Sequence, residues 1–408
     1  MSELNTEYDS KNEVPFSFDE LFFSRTDDRG IIQAGNEVFQ RISLYSWEEV
    51  LKKPHNIIRH PDMPKGVFYL FWEFLKRGEP IGAYVKNRAK DGRHYWVYAI
   101  ATPIEGGYLS VRIKPSSDIF KVVEKEYKDL LQQELSSKIT PKESAELLLE
   151  RLKNLGFNSY EEFMSIAVNK EMLARDVKLN KKDRLLNNFG QLMHDAESML
   201  AETTNIFSSY EESKYVPLNL QIQSAQLGEN GRTIGVISSN YNIVSTEIRN
   251  EINDFNQAAQ NVFSKIHAGQ FLACTARIQR EVIECFQKEI TSDFVNKDQE
   301  ILYLRRQQVE YQKLASEGLI SITKQIEQFQ NNCQRMKMLA SSLEVIRIMG
   351  KVDAARISVS NGDLNELIND LSIFQTSIAS SLGKIAQLNH GMKHETLGAI
   401  GTMAATAS

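Results

Sequence analysis

Cysteine is scarce. Cys274, Cys285 and Cys333 are the only three in 408 residues, none in CxxC spacing and all inside helical pattern. That excludes a disulfide framework and a zinc ribbon, and it fits bland thiols in a reducing compartment. No apolar run reaches the roughly 18 residues that a membrane helix needs. Met1 to Pro15 lacks the basic-then-apolar profile of a secretory leader, so a cytoplasmic location is expected. The net charge of −5 offers no bulk basicity for nucleic acid. There is no Gly-rich phosphate loop, no nucleophile elbow and no paired-His metal spacing with a supporting carboxylate. His390 and His394 stand four apart without such a framework and read as an exposed helix face. The expectation is a protein that is not an enzyme.

Proline is also rare, and its distribution divides the chain. Eight of the nine prolines precede residue 142, and all three tryptophans (Trp47, Trp72, Trp96) fall in the first 115 residues. A compact α+β domain is expected there, over 20–115, after a flexible tail at 1–19. Connector helices are expected over 116–182. Periodic polar-apolar segments then predict a long helical bundle over 183–400, with a disordered tail at 401–408.

Within the first domain, Leu21 to Asp27 and Ile31 to Ala34 read as a hairpin turned by Asp28-Arg29-Gly30. Ser46 and Glu49 form a capping box for a short helix. Gly66 to Lys76 is amphipathic at helical period. Ile81 to Arg88, His94 to Pro103 and Tyr108 to Lys114 are strands, the first two joined by Lys90-Asp91-Gly92-Arg93. The result is a five-stranded antiparallel sheet with helices on one face. Between them lies Lys53 to Pro64, with three prolines, two histidines, an arginine and an aspartate in twelve residues. Proline fixes φ and removes a donor, so this is a rigid irregular segment, a binding wall or a structural corner.

This order of elements is the PAS arrangement. The runs Pro54 to Lys65, Trp72, Lys76 to Pro80, Val85 to Arg88 and His94 to Val97 resemble the PAS domain of aerotaxis (energy taxis) receptors. That family binds FAD non-covalently and reports redox state. The resemblance implies cofactor contacts from Arg59, His60, Asp62, Trp72 and Asn87. It departs at Ile81, where the family has an aromatic. Haem, or no cofactor, stays open beside FAD. The residue types suit a ring-binding site: a planar guanidinium for anionic oxygens, an imidazole titrating near neutral, an amide for a ring edge and an indole for stacking. The alternative is that Arg59 and Asp62 pair to pin the loop.

Leu227-Gly228-Glu229-Asn230-Gly231-Arg232-Thr233, between Asn219 to Gln226 and Ile234 to Ser239, resembles the hairpin tip of methyl-accepting chemotaxis proteins. The resemblance implies docking of the kinase CheA and the coupling protein CheW, here through Gln223, Gln226, Glu229, Arg232 and Val236. The pattern departs at Ser224-Ala225-Gln226-Leu227, Thr233 and Gly235. Lys351 to Asp363 reads as a second tip, near 357–363. Its midpoint with the first places a return turn at Thr291 to Lys297. An internal duplication follows, giving an intramolecular four-helix bundle. The competing arrangement is a single hairpin that dimerises. As a whole, the chain is expected to be a PAS transducer of energy-taxis type, or a cofactor-free scaffold on chemoreceptor arrays.

Overall fold

The computed structural model describes residues 12–356 and 362–407. Five strands form one antiparallel sheet: β1 (Phe22–Asp27), β2 (Ile32–Gly35), β3 (Ile81–Arg88), β4 (His94–Ile104) and β5 (Gly107–Ile113), ordered β2-β1-β5-β4-β3. The Asp27 carboxylate shapes the first turn by accepting the N–H groups of Arg29 at 3.0 Å and Ile31 at 2.9 Å. Gly30 takes the φ of +77° that this turn requires.

Between β2 and β3 run α1 (Glu37–Ser43), α2 (Trp47–Val50), a single 3-10 turn at His55–Ile58 and α3 (Lys65–Lys76). The capping box expected at α2 is present, with the N–H of Ser46 donating to Glu49 at 3.0 Å. The proline-rich segment is stitched to strands at both ends. Pro54 bridges Ile31, Arg59 bridges Asn87, and the N–H of His60 donates to Lys86 O at 3.3 Å. An irregular segment with few backbone bonds of its own is thereby held as one wall of the domain.

Three further helices follow: α4 (Asp118–Ser137), α5 (Pro141–Asn154) and α6 (Tyr160–Lys178). Glu134 of α4 is buried and accepts the N–H groups of Lys65 at 2.7 Å and Gly66 at 3.3 Å, a carboxylate at the N-terminus of α3. Gly66 permits the close approach of α5, since a Cβ there would meet Ser144 at 2.5 Å.

The remaining helices are α7 (Arg184–Ser213), α8 (Val216–Gln226), α9 (Arg232–Lys288), α10 (Lys297–Arg356) and α11 (Gly362–Ala407). The chain divides into two compact units. One comprises Met1–Leu186 and His267–Glu317, the other Asn187–Ile266 and Gly318–Ser408. Among the described residues no helix is long and apolar enough to cross a membrane.

In the first unit both faces of the sheet are covered. Trp96 and Tyr84 pack on Phe120 of α4, and Tyr98 donates to the Met164 carbonyl of α6 at 2.7 Å. Phe23 meets Phe286 at 5.0 Å between ring centroids. The turn between α9 and α10 thus belongs to the PAS-side core, an arrangement outside the sequence expectation. Arg175 of α6 pairs with Glu281 of α9, and Arg277 of α9 with Asp176 of α6, all buried. The tail expected at 1–19 packs from its described portion onward. Val14 is buried and donates to His94 O at 2.8 Å, because an apolar residue beside an open strand end gains burial and a ladder bond.

In the second unit, Ile234, Tyr241, Ile248, Phe255 and Val262 of α9 are buried at seven-residue spacing, as are Leu319, Ile326, Cys333 and Ala340 of α10. That repeat is the seam of a coiled coil. Phe255 stacks on Phe329 at 4.6 Å, Tyr210 meets Phe374, and Asn389 donates to Ile326 O at 3.3 Å. Four helical segments of one chain therefore pack side by side. The return turn falls between Lys288 and Lys297, where the midpoint placed it. The second tip, expected near 357–363, lies mostly outside the described residues. At the other end, 401–407 is helix rather than disordered tail. Ala399 and Met403 are buried and extend the seam, so packing overrides the Gly/Ala-rich composition.

Candidate functional site

The sheet's inner face and helix α3 enclose a cavity of about 220 Å³. Pleating decides who lines it. On β3, Val85 and Asn87 point inward while Tyr84 faces the outer helices. On β5, Tyr108, Ser110 and Arg112 point inward. Helix α3 contributes Phe68, Phe71 and Trp72 at helical spacing. Trp72 is held from two sides. Its ring lies edge-on to Tyr108 at 5.4 Å, and a Cβ on Gly30 would come within 3.3 Å of it.

Of the five residues singled out for a cofactor, three line this cavity: Arg59, Trp72 and Asn87. The Arg59 guanidinium lies 3.7 Å from the centre of the Phe68 ring and makes no ion pair among the described residues. Its pKa is lowered, mainly by burial. Asn87 is buried, and its Nδ2 has no hydrogen-bond partner among the described residues. His60 and Asp62 sit apart from the lining. Asp62 pairs with Lys86 at 2.6 Å instead of with Arg59, and it lies 3.4 Å from His60. Burial, then Lys86, pushes the His60 pKa down to about 4. Ile81 is fully buried on the inward-facing register of β3 but stands outside the lining.

A second group at the cavity was not singled out from sequence. Arg112 is buried and donates through Nη2 to Ser24 Oγ and to His55 Nε2, each at 2.8 Å. Ser24 Oγ stands 3.1 Å from the same His55 nitrogen. Burial, then Arg112, pushes His55 down to about 3, so it is neutral, with Nε2 accepting and the proton on Nδ1. Ser110 Oγ, also on the lining, has no partner among the described residues. The signal for this group was strand alternation, which places Arg112 on the face of Ser110 and Tyr108.

These features suit a flat ring system with polar edges: aromatic walls, an unpaired amide, an unpaired hydroxyl and guanidinium donors. The volume lies below the roughly 300–1,000 Å³ of a whole ligand site, so it matches one ring system better than an entire dinucleotide. Among the described residues no group of three or more His, Cys, Asp or Glu is placed to hold a metal ion.

The tip residues are ordered by a tight turn. Gly228 has φ +56°, and Ser224 Oγ donates to Gly231 O at 2.7 Å. A Cβ on Gly231 would strike Ser224 O at 2.1 Å. Gln226, Glu229, Arg232 and Val236 are exposed and Gln223 is half-buried.

Residues 34–111 match the PAS fold family. The chain is 40% identical over 137 residues to the aerotaxis receptor of Escherichia coli (strain K12), covering 32% of this chain and 27% of that protein. It is 33% identical over 104 residues to biofilm dispersion protein BdlA of Pseudomonas aeruginosa, covering 25% of each. The match thus spans about a quarter of the length of these curated relatives. Among solved structures, a PAS domain from Colwellia psychrerythraea is 21% identical over 23% of this chain and 85% of that one, with a TM-score of 0.21. The light state of the Aureochrome1 LOV photoreceptor is 19% identical over 26% and 88%, with a TM-score of 0.24. The chain carries a PAS domain similar to that of the aerotaxis receptor, followed by a long helical region.

Proposed function

We propose that the chain is a cytoplasmic PAS signal transducer of the energy-taxis type, acting as a sensor rather than as an enzyme, with a flavin, FAD, as its redox-active ligand. The observation that carries this is the Asn87 Nδ2, without a partner among the described residues, on a wall shared with Trp72, Phe68 and Arg59, inside the segment 34–111 that matches the PAS fold family. Bound, a flavin supplies a redox couple whose charge and hydrogen bonding change at the ring edge. Asn87 would hold that edge, Trp72 and Phe68 would flank the ring, and Arg59 would meet anionic oxygens. Haem has less support, because the cavity-lining histidine, His55, already has its Nε2 engaged by Arg112 and Ser24.

The outer face of the sheet gives a route for relay. Tyr84 and Phe23 carry a disturbance of β3 or β1 to α4, α6 and the α9–α10 turn. Helices α9 and α10 contribute their other portions to the four-helix unit. Its turn at 228–231, with Gln223, Gln226, Glu229, Arg232 and Val236, is the surface proposed for CheA and CheW. An absorption spectrum of the purified full chain tests the cofactor. Oxidised-flavin bands that bleach on reduction are expected, and a colourless protein releasing no flavin on denaturation overturns it.

A cofactor-free scaffold is the second reading, favoured by the buried Ile81 and the small volume. Capture of CheA or CheW by a flavin-free chain, unchanged by added FAD, would select it.

A further inference from the structure

We infer that Ser24, His55 and Arg112 form an anion-receiving corner of the cavity, which takes a negatively charged oxygen edge on a planar ring ligand. This rests on the cavity being the ligand site, and it adds the charge class of what binds there.

The argument is one of charge. Arg112 is 3% exposed, and burying a lone cation is costly unless it is paired. Its hydrogen bonds go to Ser24 Oγ, to His55 Nε2 and, at 3.5 Å, to Ser110 O, all of them uncharged acceptors. No carboxylate pairs with it among the described residues. The Phe22 ring at 5.7 Å and the Phe39 ring at 5.8 Å offer only weak cation–π attraction. Burial lowers its pKa only to about 10, so it stays charged at neutral pH. His55 cannot neutralise it and carries no charge itself. The corner therefore holds one net positive charge facing a cavity, and its five N–H donors make three bonds.

A purely structural arginine would be paired, as Arg25 is with Glu300 and Arg277 with Asp176 in the same unit. Arg112 differs by lining a space. Ser24 and His55 take the Nη2 hydrogens and fix the plane of the guanidinium, which leaves Nε and one Nη1 hydrogen to donate singly to an anionic oxygen. Ser110 Oγ, on the same strand and without a partner among the described residues, supplies a further donor.

The test uses the full chain and its Arg112→Met and Arg112→Lys variants, with sodium benzoate, neutral benzamide and FAD as probes in thermal melts at matched ionic strength. Benzoate is expected to raise the melting temperature of the unaltered chain more than benzamide does. Arg112→Met should lose that preference and at least tenfold in benzoate affinity, and Arg112→Lys should keep part of it. Without ligand, Arg112→Met should melt no lower than the unaltered chain, because an unpaired charge is removed while Ser24 and His55 keep each other. Equal effects of benzoate and benzamide on the unaltered chain overturn the proposal. So does a lower melting temperature of Arg112→Met with the benzoate preference intact. A benzoate preference without any response to FAD leaves the corner standing and removes the flavin. An FAD response that is identical in Arg112→Met removes the corner and leaves the flavin.

Discussion

Tyr84 donates its hydroxyl to Glu171 at 2.7 Å, across the boundary between the sheet and the helices on its outer face. The same carboxylate accepts from the N–H of Ser116 at 2.6 Å and from the N–H and Oγ of Ser117. One fully buried acid therefore ties β3, α6 and the start of α4 together. Tyr84→Phe removes one of these bonds and should cost about 1 kcal/mol. Glu171→Ala strands several buried donors at once and should cost roughly 3 kcal/mol or more. Denaturant unfolding of the full chain, followed at the aromatic residues of the PAS unit, ranks the two. Equal costs would mean that the network is not centred on Glu171.

A second tie joins the sheet to the α9–α10 turn. Arg25 of β1 grips Glu300 of α10 through Nε at 2.8 Å and Nη2 at 2.7 Å, and lies over Tyr303. The pair is largely buried; burial is the largest single influence on Arg25 and lowers its pKa, but the hydrogen bond to Glu300 and the attraction of its charge together outweigh burial and raise it. Removing one partner of such a pair typically costs about 3–5 kcal/mol. Glu300→Ala should fall at the low end, because Arg25 keeps some access to water. Amide exchange over 286–304 should accelerate while the four-helix unit stays protected. Uniform loss of protection throughout the chain would contradict a local tie.

Much of this architecture was legible in the chain. Alternation and the Asp91-Gly92 turn gave the strands, and contiguous motif runs pointed to Arg59, Trp72 and Asn87. What escaped is instructive. Arg112 and His55 are 57 residues apart and meet only when β5 lies beside β1. A lone arginine in a strand reads as a solvent contact unless its register is followed inward. The covering of the outer face escaped for a related reason. Tyr84, Trp96 and Tyr98 are apolar on the side away from the cavity, which signals a sheet buried on both faces. No local pattern says which helix will cover it. The Arg59–Asp62 pairing failed because Lys86, on the adjacent strand, lies nearer the aspartate.

The half-buried His55, desolvated at its ring, makes stability depend on pH. His55 has its folded pKa depressed to about 3, against about 6.5 when unfolded. The unfolded chain therefore takes up the proton first as pH falls. His55 contributes fully above about 6.5 and loses its contribution on acidification toward 3, at up to about 1.4 kcal/mol per pH unit. His60 acts in the same direction with a smaller share, because it is partly exposed. His55→Asn removes this proton uptake, so its stability should fall less steeply between pH 6.5 and 5, above most carboxylate titration. Parallel curves for the two proteins would show that His55 is not the group responsible.

The tip carries a pair of departures that explain each other. Ser224 donates to Gly231 O, and a Cβ at Gly235 would lie 2.8 Å from that hydroxyl. A serine at 224 thus requires a residue without Cβ at 235, unless the hydroxyl swings away and gives up its bond. Gly235→Ala alone gains about 1 kcal/mol of helix propensity but displaces Ser224, so it should be near neutral. Ser224→Ala alone loses one hydrogen bond, about 1 kcal/mol. The double variant suffers no clash and keeps the propensity gain, so the cycle should show a coupling of roughly 1 kcal/mol. Gly231→Ala is different in kind. Its Cβ would strike backbone at 2.1 Å, which no side-chain change relieves, and the turn must open. Amide exchange over 216–240 reads all four variants. If Gly231→Ala exchanges no faster than the unaltered chain, or if the cycle is additive, the turn is not held by Ser224.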